Sequence, residues 1–231
     1  MSETVLITGS SGGIGLALVE EFARAGWNVF ASARSPHRSE LAALAQKWAN
    51  VTPLALDVCD ESNIVRAAKS LEGVSLDVLV NNAAVFPGEG HEPFESLDMG
   101  WFHQAFDANV VGVARVTREF LPHLRRAARA RVANISSGAG SISEKDDFDY
   151  YPYSVSKAAL NMLTRALAAE FRSTGIIVTA ISPGWVKTRM GGPNAPLMPQ
   201  ESARALFKTI TGLTLEQSGE FLGRDGEPYA W

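Results

Sequence analysis

The chain has 231 residues, 46% of them hydrophobic and 20% charged, with a formal net charge of −4. That length and apolar share suit one α/β domain with a sizeable core, and mixed charge without a long basic run argues against nucleic acid or an anionic membrane surface as a partner. No apolar stretch approaches the roughly 18 residues of a membrane span, no basic segment precedes the first apolar run, and the single cysteine, Cys59, rules out an intrachain disulfide and fits a reducing cytoplasm.

Residues 4–8 form a short β-branched run that reads as a buried strand. It passes directly into Thr8-Gly9-Ser10-Ser11-Gly12-Gly13-Ile14-Gly15, after which Ile14, Leu18, Phe22 and Ala25 recur at helical spacing up to Gly26. Glycines at a strand-to-helix junction permit a tight turn and let a phosphate approach the amides at the positive helix end. The spacing is G-x-x-x-G-x-G, not G-x-G-x-x-G. Residues 28–33 read as the next strand. Dinucleotide folds place a ribose-reading residue about 20 positions after the glycines, acidic for NAD and basic for a 2′-phosphate. Arg34 stands at this strand end, with no acid before Glu40, and a guanidinium matches phosphate as a fork. His37 and Arg38 are placed to assist electrostatically.

A helix over 41–48 and a strand over 51–56 lead to Asp57-Val58. A helix over 63–71 and a strand over 76–80 lead to Asn81-Asn82-Ala83-Ala84. Strands alternating with helices argue for βαβ units, hence an α/β doubly wound parallel sheet. Ligands in such sheets bind at the carboxyl ends of the strands, where the glycine turn, Arg34, Asp57 and Asn81 all fall. Residues 97–124 are expected to form one long helical region, with Asn109 between two apolar stretches and in need of hydrogen-bond partners. The strand over 131–135 ends in Ser136-Ser137-Gly138, and a loop over 141–151 carries Glu144, Asp146, Asp147 and Asp149. The four histidines, His37, His91, His103 and His123, show no metal-ligand spacing with one another or with Cys59. No metal is expected, and all four read as surface or capping residues.

The next helix opens with Tyr153 and Lys157, four positions apart, so phenol and ammonium address one point in space. A free phenol has a pKa of about 10. A nearby ammonium favours the phenolate and draws that value toward the range of efficient acid–base catalysis. Of the four tyrosines, only Tyr153 has a lysine at this spacing. Val155, Ala159, Met162, Leu163 and Ala166 form the expected packing face of this helix. A strand over 176–181, Pro183-Gly184-Trp185, a helix over 201–210 and a short strand near 220–222 complete the core. Without repeats or linkers, the whole of 1–231 reads as one domain. Residues 189–200 are expected to form a substrate lid: Gly191 and Gly192 are permissive, Pro193, Pro196 and Pro199 oppose regular structure, and Leu197 and Met198 offer apolar surface.

Thr8-Gly9-x-x-x-Gly13-x-Gly15, Asp57, Asn81-Asn82-Ala83-Ala84, Asn109, Ser137, Tyr153-x-x-x-Lys157 and Pro183-Gly184 follow one another in this order. Over essentially the whole chain this set resembles the short-chain dehydrogenase/reductase family. The stretch from Pro183 to Ala195 and the tail over 225–231 are similar to its branch of C-factor and sniffer-type carbonyl reductases. The resemblance implies a Rossmann-like sheet binding NAD(P)(H). It implies Tyr153 as general acid–base, Lys157 lowering the Tyr153 pKa and holding the nicotinamide ribose, Ser137 positioning the substrate oxygen, and Asn109 anchoring a relay water. It implies Thr8, Gly9, Ser11, Gly13, Ile14 and Gly15 around the pyrophosphate, and Asp57 and Val58 at the adenine. Asn81 and Ala83 would line the adenosine ribose, with Pro183, Gly184, Val186 and Thr188 at the nicotinamide. Ser137 is preferred to Ser136 by family pattern alone. The loop from Ser137 to Tyr153 is longer and more acidic than is usual in the family, which leaves the substrate class open. The expected activity is NADP(H)-dependent interconversion of a small carbonyl and its alcohol, in a homodimer or homotetramer. A lyase or epimerase, or a cofactor-binding signalling protein, remains an alternative on the same fold.

Overall fold

The apolar runs become seven strands in a computed structural model that describes residues 2–38, 40–147 and 149–231. They are β1 (Thr4–Ile7), β2 (Asn28–Ala33), β3 (Val51–Ala55), β4 (Val78–Asn81), β5 (Arg131–Ile135), β6 (Ile177–Ser182) and β7 (Phe221–Gly223). They pair in the order β3-β2-β1-β4-β5-β6-β7, parallel throughout. The helices are α1 (Gly13–Arg24), α2 (Glu40–Lys47), α3 (Glu61–Ser70), α4 (Gly100–Phe106), α5 (Gly112–Leu124), α6 (Tyr151–Phe171) and α7 (Pro199–Gly212). Successive strand residues face opposite sides. Val5 and Ile7 therefore join a core with α1, α2 and α7, while Leu6 joins one with α3, α5 and α6. Burial on both faces explains why β1, β4, β5 and β6 are apolar without alternation. Phe22 anchors the first core, with Trp27 and Phe207 edge-on at 5.1 and 4.8 Å; each such pair contributes about 0.5–1.5 kcal/mol beyond its buried area.

The strand order reverses between β1 and β4, which opens a crevice at their carboxyl ends. Among the described residues, no helix is long and apolar enough to cross a membrane, and no three His, Cys, Asp or Glu side chains gather as a metal site.

Three local expectations are corrected. The helix expected over 97–124 is two helices, α4 and α5, joined by a π-helical turn over Asp107–Val111 that contains Asn109. The packing face of α6 is not the apolar one. Val155 and Met162 are exposed, and Ser154, Ser156, Lys157, Leu160, Asn161 and Thr164 point inward. Most of these polar side chains are hydrogen-bonded to neighbouring elements, Ser156 to Asn109, and Lys157, Asn161 and Thr164 to residues of β5 or its end, so the helix buries chemistry where periodicity suggested core. His123 is neither a surface nor a capping residue; it is buried, with Nδ1 3.1 Å from the Val74 carbonyl oxygen.

Candidate active site

At the crevice, the Thr8 hydroxyl donates to Val80 O (3.3 Å) and accepts from the amides of Asn82 and Ala83 (3.0 Å each). The Asn82 side-chain amide donates to Thr8 O (2.8 Å) and Gly9 O (3.2 Å), clamping the end of β4 to the loop that follows β1. The clamp leaves no room for side chains. A Cβ on Gly15 would lie 2.4 Å from Gly9 O and 2.5 Å from Asn82 Nδ2, and one on Gly9, whose φ is +70°, would lie 2.7 Å from Ala83 Cα. Gly12 differs, because a Cβ there would meet nothing within 4 Å. Helix α1 starts beside it with no side-chain cap and no acid in its first turn. Its free N–H groups and positive dipole end therefore face open space, a setting made for an anionic group. Ser11 is exposed at the loop apex, Ile14 is half-buried, and a Cβ on Gly13 would come 3.2 Å from the Thr188 methyl group.

Arg34 is exposed directly after β2 and makes no ion pair among the described residues. The Asp57 carboxylate accepts from Cys59 N (3.0 Å), and its own N–H donates to Asn63 Oδ1 (2.6 Å). Val58 packs against Gly112. The Asn81 side chain turns away from the crevice, donating to Thr117 Oγ1 (3.1 Å) and Asn134 Oδ1 (2.9 Å) inside the sheet. Only its backbone can border a ligand.

Across the crevice, β5 and α6 bring Ser137, Tyr153 and Lys157 together. The Ser137 hydroxyl accepts from Ala139 N (3.2 Å) and sits beside the Tyr153 phenol, near enough to favour its charged form. Lys157 is 2% exposed. Its Nζ donates to Ile135 O (2.8 Å) and lies 5.5 Å from the centre of the Tyr153 ring. Burial pushes the phenol up to about 12, against the downward pull of the Ser137 hydroxyl. Burial alone pulls the Lys157 amine down to about 7. The expected lowering of the phenol by Lys157 is thus not what this geometry gives. The amine is directed at Ile135 O, and desolvation penalises both charged forms. The Asn109 side chain accepts from Val85 N (2.8 Å) and donates to Val85 O (3.0 Å) and Ser156 Oγ (3.0 Å). Ser156 in turn donates to Tyr153 O (2.7 Å). Both amide hydrogens of Asn109 are committed to tying the loop after β4 to the first turns of α6.

A family model described as short chain dehydrogenase matches residues 3–196. The chain belongs to the short-chain dehydrogenase/reductase family. It is 38% identical over 156 residues to the C-signal of Myxococcus xanthus, covering 68% of this chain and 93% of that protein. An NADPH-bound carbonyl reductase from chicken fatty liver has the same fold at a TM-score of 0.93 and 34% identity, covering 100% of this chain and 99% of that one. The carbonyl reductase Sniffer of D. melanogaster reaches 0.94 at 31% identity over 100% of both chains.

Within this short-chain dehydrogenase/reductase, tertiary contacts separate the two serines that sequence could not. Ser136 is buried and donates to Asn161 Oδ1 at 2.6 Å, so its hydroxyl is spent. Ser137 is half-buried and faces the phenol. Sequence reasoning missed Asn161, whose other bond, to Gly140 O (3.3 Å), steadies the turn after Ser137. It also missed the clamp of Asn82, although Asn82 stands in the quoted motif, and the ring of Phe86 against Tyr153, at 5.1 Å. No local signal marks Asn161 or Phe86.

The segment after β6 is more ordered than a permissive lid. Val186 bridges Leu197, with Lys187 N donating to Leu197 O (2.7 Å) and Leu197 N to Trp185 O (3.3 Å). Trp185 Nε1 donates to Gly191 O (2.8 Å) and Thr188 Oγ1 accepts from Gly191 N (3.0 Å). Pro183 O accepts from Ser202 Oγ (2.8 Å), and Leu197 lies over Gly184. The prolines do not prevent regular structure throughout, because Pro199 opens α7, a position where a missing N–H costs nothing.

Proposed function

We propose that the chain is an NADP(H)-dependent carbonyl reductase, interconverting a carbonyl and an alcohol with Tyr153 as the general acid–base. The observation that carries this is the grouping of Ser137, the Tyr153 phenol and the buried Lys157, set across one crevice from an uncapped glycine-lined helix end. A pure binding module has no chemical need for that arrangement. NADP(H), when bound, supplies or accepts the hydride.

The chain's own residues do the rest. The amides of residues 9–15 receive the pyrophosphate at the open side of Gly12, with Ser11 at the rim and Thr8, Gly9 and Gly15 holding the loop shape. The fit is chemical: unpaired donors at a positive helix end, no acid in the first turn of the helix, and free space in front of Gly12. Arg34, exposed and without an ion pair among the described residues, takes the 2′-phosphate. The NADPH in the chicken relative supports that choice over NADH. Asp57 and Val58 border the adenine, and the backbone of Asn81 and Ala83 borders its ribose. Lys157 holds the other ribose, while Pro183, Gly184, Val186 and Thr188 border the nicotinamide. Residues 189–200, tethered at both ends, form the outer wall of the substrate site.

At neutral pH the Tyr153 phenol stays protonated, because burial raises its pKa. It is therefore a donor ready for a carbonyl oxygen that gains negative charge, with Ser137 fixing that oxygen within reach of both hydroxyls. Asn109 positions the loop and α6 around the phenol through Val85 and Ser156. The test is consumption of NADPH over a panel of aldehydes, ketones and quinones, repeated with Tyr153→Phe. Turnover that needs the phenol supports the reading. Cofactor binding without consumption on any member of the panel would favour a binding protein instead.

A further inference from the structure

The acidic loop has no part in the chemistry above, yet near its end Tyr150 has a strained backbone. Tyr150 has φ +64°, the only positive φ of a non-glycine among the described residues. A bulky side chain rarely adopts that conformation, and it persists where surrounding contacts impose it. The contacts here come from the loop after β4. Tyr150 N donates to Gly90 O (2.8 Å), and the ring lies so close that a Cβ on Gly90 would sit 2.4 Å from it. Next to it, His91 Nδ1 is 3.1 Å from Asp149 Oδ2, and the His91 ring is 5.4 Å from that of Tyr150. The two loops thus clasp each other, and the clasp sets a row of rings. Tyr150 meets Phe86 edge-on at 5.3 Å, and Phe86 meets Tyr153 at 5.1 Å. Phe86, Tyr150 and Tyr153 are each half-buried.

Resting on the carbonyl reductase reading, we infer that Phe86 and Tyr150 are specificity-determining residues forming an aromatic wall that selects flat aromatic carbonyls. The wall begins at the phenol that serves the reacting oxygen, so a ring attached directly to the carbonyl carbon is placed alongside Phe86. Aromatic pairs at these distances gain from edge-to-face or offset packing that a saturated ring of equal size cannot match. The strain at Tyr150 has a purpose in this arrangement. With this left-handed backbone at the very start of α6, the Tyr150 ring packs on Phe86.

The test compares benzaldehyde with cyclohexanecarbaldehyde, which share a carbon skeleton size and differ in flatness and π-electrons. The quantity read is the ratio of their kcat/KM values with NADPH, in wild type and in Phe86→Leu, Tyr150→Leu and Tyr150→Phe. The ratio should fall about three- to tenfold in the two leucine variants, the scale of one aromatic contact, and be retained in Tyr150→Phe, which keeps the ring. Binding of benzyl alcohol against cyclohexylmethanol to the NADP-loaded protein gives the same comparison without turnover. The same drop in the binding ratio, with neither aldehyde reduced, keeps the wall and overturns the reductase reading. Turnover of both aldehydes with a ratio unmoved by either leucine substitution keeps the reductase and overturns the wall.

Discussion

The two halves of the crevice are built on different principles. On the β1–β4 side, backbone packs against backbone. Gly9, Gly15, Ala83 and the Asn82 clamp fit so closely that one added carbon would come within 2.4–2.7 Å of its neighbours. On the β5–α6 side, side chain packs against side chain, and residues far apart in sequence converge. Val85 reaches Asn109, Asn109 reaches Ser156, Ser136 reaches Asn161, and Phe86 reaches Tyr153. The first side leaves a spacing pattern in the sequence because only glycine satisfies it. The second leaves residue types but no pattern, since many types can fill a side-chain contact.

The largest expected effect lies on the second side. Tyr153→Phe should lower turnover by about 10²–10⁴-fold, the contribution of a positioned general acid, with little change in NADPH affinity. Near-normal turnover in the purified variant would remove the phenol from the chemistry. On the first side, Gly15→Ala should destabilise the fold by about 1–3 kcal/mol through overpacking, read as a lower urea midpoint at constant slope. Gly12→Ala sharpens the contrast. It should cost less than about 1 kcal/mol of stability as a helix-start substitution, yet weaken NADPH binding by about tenfold or more, because its methyl group occupies the space in front of the amides and holds the phosphate out of charge-assisted contact. Unchanged NADPH affinity in Gly12→Ala would mean that Gly12 does not face the ligand. Arg34→Asp should reverse a preference for NADPH over NADH that is itself roughly tenfold to a few hundredfold, given about 1.5–3 kcal/mol for each charge-assisted contact. Equal use of both cofactors by the wild type would count against Arg34.

A smaller effect tests the burial of Lys157. In the folded chain its amine is pulled down to about 7, below an unfolded value of about 10.4. Between those two values the unfolded state binds more protons, so the stability contribution rises with pH across that window and is lost again as pH falls toward 7. Without cofactor, wild type should gain about 2 kcal/mol more than Lys157→Met between pH 7 and pH 9, or about 4–8 °C in melting temperature. Parallel pH profiles for the two proteins would show that the amine is solvated in the free protein.

Much of the fold was legible without coordinates. The strands over 28–33 and 131–135 are bounded as expected, because short stretches rich in buried apolar residues stand between helical segments. Where the expectation failed, tertiary demand overrode local pattern. Val155 and Met162 of α6 face outward because the inner face of its first half carries Ser156, Lys157 and Asn161 to the crevice. The expected single helix over 97–124 breaks its regular bonding where the Asn109 amide meets Val85, and π-helical turns of this kind recur at functional sites. The glycines and prolines of the segment over 189–200 predict irregular structure, yet the Val186–Leu197 bridge closes it.

By itself the sequence determined the doubly wound sheet, the glycine junction after β1 and the pairing of Tyr153 with Lys157, since each follows from short-range geometry: period two, a turn, and one helical step of four. Only the tertiary structure decided that Ser137 and not Ser136 faces the phenol, that the Asn81 side chain is spent inside the sheet, and that Phe86 and Tyr150 stand beside Tyr153. Those outcomes depend on which partner consumes each hydrogen bond and which loop imposes each backbone angle. Such partners come from residues some 25 to 65 positions away, between Ser136 and Asn161 or Phe86 and Tyr150, where no local periodicity reaches.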